Sequence, residues 1–195
     1  MNRRALLLPL LLAGCGLSER PYAERRQWPL LAARPAAQPP RPGGKVLEVR
    51  GFRAGPGLEA RGLQSLDADG SIRTGFYEEW AVPPAQAVED AVRAWLAASG
   101  IYAGVVAPGT RASADVVLEG ELSALWSEPA ARIAHAALGI TVIALAGDTP
   151  RIVLQRRYAE TAALTATGPQ AESQAMLAAL TIALARIEAD LRNAR

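Results

Sequence analysis

The sequence predicts an α+β fold, a largely antiparallel sheet with two amphipathic helices packed on one face. Three observations carry this expectation. Several segments alternate apolar and polar residues with a period of two, two longer segments gather apolar residues on one helical stripe behind a proline, and the order is strands, helix, strands, helix with short connections. At 195 residues, 50% of them apolar, the chain suffices for one compact domain with a real core.

The chain opens MNRRALLLPLLLAG, a basic start at Arg3 and Arg4 followed by an apolar run from Ala5 to Ala13. That run is well short of the roughly 18 residues that span a bilayer, so residues 1–14 read as an export signal. It ends Leu12-Ala13-Gly14-Cys15, which resembles a lipobox, and on that resemblance Cys15 is the lipidation site and the first residue of the mature chain. A plain signal peptide with an incidental thiol is the alternative. The cysteine count favours lipidation, because Cys15 is the only cysteine and an exported chain with one thiol has no disulfide partner for it. Two or three acyl chains, at about 0.8 kcal/mol per buried methylene, anchor durably where one binds reversibly. No later apolar stretch reaches transmembrane length without a charge or turn signal; the nearest, Ile133 to Gly147, contains His135 and two glycines.

Loss of Arg3 and Arg4 with the signal leaves acidic and basic residues equal in number, with Lys45 the only lysine. A neutral chain of this kind gives no support to nucleic-acid binding.

Residues 15–44 read as the lipid anchor and a tether, with six prolines from Gly16 to Gly44 and little periodicity. Within it Trp28-Pro29-Leu30-Leu31 can dock on the domain as an extended strand or meet a partner. The domain itself is expected over residues 45–195. Lys45 to Phe52 alternates as a strand, and Leu58 to Leu66 and Ser71 to Trp80 flank Asp67-Ala68-Asp69-Gly70, a hairpin signal. Pro83-Pro84 opens a helix running to about Ser99, with Val88, Ala91, Val92, Trp95 and Leu96 on one stripe, Glu89, Asp90 and Arg93 facing away, and Gly100 placed to end it.

A second block of strands covers Ile101 to Val106, Ala114 to Trp126, Ala131 to Ala146 and Arg151 to Ala163, the last two joined by Gly147-Asp148-Thr149-Pro150. Pro169 opens the final helix, to about Leu191. Its stripe is Leu177, Leu180, Leu184, Ile187 and Leu191, with Arg186, Glu188, Asp190 and Arg192 mostly outside it.

No catalytic constellation emerges, and no enzyme or cofactor is expected. His135 is the only histidine and sits in an apolar strand, so neither a Ser-His-Asp triad nor a zinc site of ordinary ligand type can be composed. Glu119 and Glu121 lie on one face of a strand, about 7 Å apart by the strand repeat. That separation is one a carboxylate pair can use, but a solvated face is the simpler reading. Gly51, Gly55 and Gly57 lack the strand-to-helix context of a phosphate loop.

The segment Gly75-Phe76-Tyr77-Glu78-Glu79-Trp80-Ala81-Val82-Pro83-Pro84, the helix behind it and the strand Ala114-Asp115-Val116-Val117-Leu118-Glu119-Gly120-Glu121-Leu122 resemble the ABC-type transport auxiliary lipoproteins, which include the paraquat-inducible C-type lipoproteins. The likeness spans Lys45 to Leu191 and rests on the order and spacing of these segments. Two features depart from the pattern: only Trp28-Pro29-Leu30-Leu31 can stand for the family's early Tyr-x-Leu-like strand, and the hairpin from Leu58 to Tyr77 is more acidic and less aromatic.

The resemblance implies a lipoprotein of a lipid transport system, with a mammalian-cell-entry domain protein and its ABC permease and ATPase as partners. It also implies a position at the periplasmic face of the outer membrane, phospholipid as a candidate ligand, and a homo-oligomer as compatible with the family. Gly16, which is not aspartate, is consistent with outer-membrane sorting. Trp80 is the family-marked position, a contact with lipid or partner on one reading and a core tryptophan locking the hairpin to the first helix on the other. A lipoprotein chaperone or assembly factor for an outer-membrane protein is the alternative function.

Overall fold

A computed structural model describes residues 24–194 except 146 and 148. Cys15, the signal and the first part of the tether lie outside the described residues. The elements are β1 (Arg26–Trp28), β2 (Val46–Ala54), β3 (Gly62–Leu66), β4 (Ile72–Trp80), α1 (Pro84–Ala97), β5 (Gly104–Val106), β6 (Val116–Glu128), β7 (Ile133–Ala144), β8 (Arg151–Ala163) and α2 (Pro169–Asn193).

All eight strands form one mixed sheet centred on β6. Along one side β6 pairs antiparallel with β7, and β7 with β8. Along its other side β6 is shared: residues 116–122 pair parallel with β2, and Ser127 pairs with Ser65 of β3. Beyond β2 lies β5, and beyond β3 lie β4 and then β1.

The sheet is therefore not largely antiparallel as expected. Of its seven pairings, β1 with β4, β2 with β5, β2 with β6 and β3 with β6 are parallel. For the pairings that β5 and β6 make, the cause is the crossover through α1. A helix between strands returns the chain to the starting end of the sheet, so β5 and β6 enter alongside β2 in the same direction. The hairpin expected around Asp67 to Gly70 is present, with Gly70 at φ +86° and Asp67 N–H donating to the Ser71 carbonyl at 2.9 Å.

Both helices cover the same face. α1 lies on β2, β5 and β6, α2 on β6, β7 and β8. Their stripes join one apolar core with the inward residues of the strands, including Leu47, Val49, Leu118, Leu122, Leu138 and Ile140. The other face is bare and polar. On the core side Phe52 lies over Gly120, where a Cβ would stand 2.2 Å from the ring, so only glycine fits beneath it.

From residue 26 onward the segment read as a tether lies along the domain as a strap, and Trp28-Pro29-Leu30-Leu31 takes the docked, extended reading. β1 adds to the sheet edge beside β4, Leu30 and Ala32 enter the core, and Gln38 and Arg41 donate backbone N–H groups to the Ala98 and Tyr102 carbonyls. Glu188, expected mostly outside the helical stripe, is 8% exposed beneath this strap. It accepts from both Arg34 nitrogens, from Trp95 Nε1 at 2.7 Å and from Arg192. A carboxylate is stable there because these donors replace the water it loses.

Candidate functional site

Four distant segments close one end of the sheet into a cleft of about 660 Å³. They are the end of the strap, the loop after α1, the paired ends of β6, β7 and β8, and the last turn of α2. Backbone hydrogen bonds fix the arrangement: Ala103 N–H to the Lys45 carbonyl at 2.9 Å, Asp115 N–H to the Val46 carbonyl at 2.9 Å and Leu145 N–H to the Asp115 carbonyl at 2.8 Å. The Asp115 carboxylate returns a contact to Val46 N–H at 2.8 Å. Register between the strap and the three strands is thereby held at the mouth.

The wall of the cleft is apolar, with Ile101, Tyr102, Val116, Val142 and Leu191 each buried and belonging also to the core. Arg41, Lys45 and Arg151 line it too, and among the described residues no carboxylate, histidine, serine or cysteine does. An apolar wall bearing several cations and no anion suits a molecule with a hydrocarbon part and a negative head. Its volume lies in the usual range of small-molecule sites, about 300–1,000 Å³.

The bare face of the sheet carries the polar residues singled out in the sequence. Glu119 and Glu121 line a broad basin there together with Arg50, Arg53 and Arg157, and Glu121 is ion-paired to Arg53 at 3.1 Å. The carboxylates therefore face arginines and solvent. His135 lies on β7 with its ring 5.9 Å from that of Trp126, its cross-strand partner, and its Nε2 is 3.1 Å from Glu128 Oε2. Trp126 Nε1 is buried without an acceptor among the described residues. Also among the described residues, no group of three His, Cys, Asp or Glu side chains gathers as metal ligands, and no helix is long and apolar enough to cross a membrane.

The structure places Trp80 in the core at 1% exposure, with its backbone N–H donating to the Arg61 carbonyl at 2.7 Å and β1 paired alongside at Trp28. Its neighbours toward the N-terminus, Phe76 and Tyr77, are the exposed aromatics of the segment, at 66% and 46%. The cleft had no sequence signal of its own, since Arg151 lies more than a hundred residues beyond Arg41 and Lys45 and only the fold brings it to them. Cys15 lies outside the described residues.

No family model matches the sequence, and no curated protein matches it. Solved structures do. A Xanthomonas campestris protein of the family DUF330 superposes with a TM-score of 0.67 at 19% identity, over 84% of this chain and 95% of that one. A structure described as an uncharacterized protein gives 0.64 at 13% identity, over 87% and 97%. A hypothetical protein of Chlamydia trachomatis gives 0.53 at 10%, over 76% and 98%. At such identities the likeness establishes a shared fold.

Proposed function

We propose that this chain is an envelope lipoprotein, acylated on Cys15 and held at the periplasmic face of the outer membrane. On this reading its domain is the auxiliary component of an ABC-type lipid transport system that works through a mammalian-cell-entry domain protein. The observation that carries the reading is the cleft: an apolar wall with Arg41, Lys45 and Arg151 and no opposing carboxylate among the described residues has the chemistry to hold a phospholipid by its head and part of its chains. On this reading the domain binds lipid and hands it on without breaking bonds. The lipobox and the sequence resemblance supply the anchor and the partners.

A second reading, an assembly factor for an outer-membrane protein, is favoured by one feature. β8 is 13 residues long and pairs only with β7 among the described residues, which leaves an edge that an incoming strand could extend.

The test is a crosslinked pull-down of the natively lipidated protein from intact envelopes. Recovery of a mammalian-cell-entry domain protein with its permease supports the transport reading. Recovery of a β-barrel alone sinks it and leaves the assembly factor.

A further inference from the structure

β4 does not run straight beside β3. Gly62 pairs with Glu79 while Gln64 already pairs with Thr74, so β4 carries an excess of residues between two short paired stretches and residues 75–78 loop out as a wide bulge. Glycine makes the bulge possible at both strands: a Cβ on Gly62 would stand 2.3 Å from the Gly75 carbonyl oxygen, and one on Gly75 would stand 2.7 Å from that of Glu78. At the tip Phe76 and Tyr77 stand edge to face, with ring centroids 4.9 Å apart, and both are exposed. The Arg25 guanidinium lies 4.8 Å over the Phe76 ring. Of the carboxylates on β4 beside the bulge, Glu78 accepts from Trp28 Nε1, and Glu79 from Gln27 and Arg61.

The bulge lies where the chain leaves the domain. β1 runs parallel to β4, with Arg26 opposite Glu78, so the residues leading back to Cys15 depart beside the two aromatic rings. Arg25 is ten residue steps from Cys15, which even fully extended reach only about 33–36 Å.

We infer that Phe76 and Tyr77, with Arg25 above them, rest in the interfacial zone of the bilayer that holds Cys15, against anionic phospholipid headgroups. This rests on the acylation of Cys15 for its placement. Aromatic rings flanked by arginine are the side chains that settle between acyl chains and headgroups, the ring in the apolar layer and the guanidinium at the phosphates. A projecting bulge carries the two rings clear of the sheet edge, as insertion requires.

The test is flotation of the mature Cys15→Ser chain, which lacks lipid, with vesicles of phosphatidylethanolamine and phosphatidylglycerol. The wild-type surface is expected to float, and the Phe76→Ala/Tyr77→Ala variant, at unchanged melting temperature, to lose about tenfold in vesicle partitioning. Arg25→Glu is expected to lose about fivefold on these vesicles and little on phosphatidylcholine. Absence of flotation, or flotation that the double variant leaves unchanged, overturns the inference. Concentration-dependent dimerisation abolished by the double variant, without flotation, overturns it in favour of a second copy of the chain. Mass measurement of the native lipoprotein tests acylation separately, so failure of the anchor and failure of the bulge are told apart.

Discussion

Arg34 Nε and Nη2 reach the two carboxylate oxygens of Glu188, at 2.9 and 3.2 Å, from 154 residues away in sequence. This fork fastens the strap across the seam between α1 and α2, where Trp95 and Arg192 complete the shell around the same carboxylate.

Burial alone would raise the pKa of Glu188, but hydrogen bonds from Arg34, Arg192 and Trp95 outweigh it and hold the carboxyl below the ordinary glutamate value. A depressed folded pKa means that the unfolded chain binds the proton first as pH falls. The contribution of Glu188 is then complete above its unfolded pKa, about 4.3, and is lost as acid titrates the folded group below that. Urea midpoints measured from neutral pH downward are expected to fall through this range in the wild type. Glu188→Gln is expected to start lower at pH 7 and to show a shallower acid decline.

Trp80→Ala is expected to destabilise the domain by about 3–5 kcal/mol in urea unfolding, the cost of emptying a fully buried aromatic site. A tryptophan that mainly served as a contact for lipid or partner would cost far less, so the size of the loss reports which role it has.

Gly120→Ala places a methyl group where the Phe52 ring lies and is expected to cost about 1–3 kcal/mol through overpacking. Phe52→Leu in the same chain should recover part of that loss. A double-mutant cycle with no coupling between the two sites would refute the packing described at this register.

Reversal of the cleft cations, Arg41→Glu with Lys45→Glu and Arg151→Glu, is expected to weaken retention of phosphatidylglycerol by about tenfold or more, leaving the melting temperature close to wild type. Lipid co-purification quantified by mass spectrometry reads the effect. Equal retention by the variant would place the ligand elsewhere.

Both helices and every strand from β2 to β8 fall within or close to the segments the periodicity marked, β3 and β5 shorter than expected, because each is patterned by its own neighbours. Arg151–Ala163 is bounded as expected, and the stripe Val88, Ala91, Val92, Trp95 and Leu96 is buried throughout. What the periodicity could not carry is partnership. An alternating strand looks the same whether its neighbour runs with it or against it, so the parallel docking of β2 on β6 was invisible. Docking of Trp28 to Leu31 was legible, but six prolines concealed the rest of the strap, since its order comes from Arg34 and Gln38 meeting distant groups. Glu188 looked like a surface residue for the same reason, its donors lying on three separate segments.

The sharing of one side of β6 between β2 and β3 also governs timing. In a chain that emerges N-terminus first, β2 and the β3–β4 hairpin appear long before residue 116, and neither can find its long-range neighbour until β6 follows. The N-terminal half must wait as open edges with apolar faces, and closure of the sheet is a late, non-local step of the kind that folds slowly and invites aggregation. Mutations in β6 such as Leu118→Ala should for this reason slow the whole chain's folding, while changes in the strap act mainly on how fast the finished domain opens.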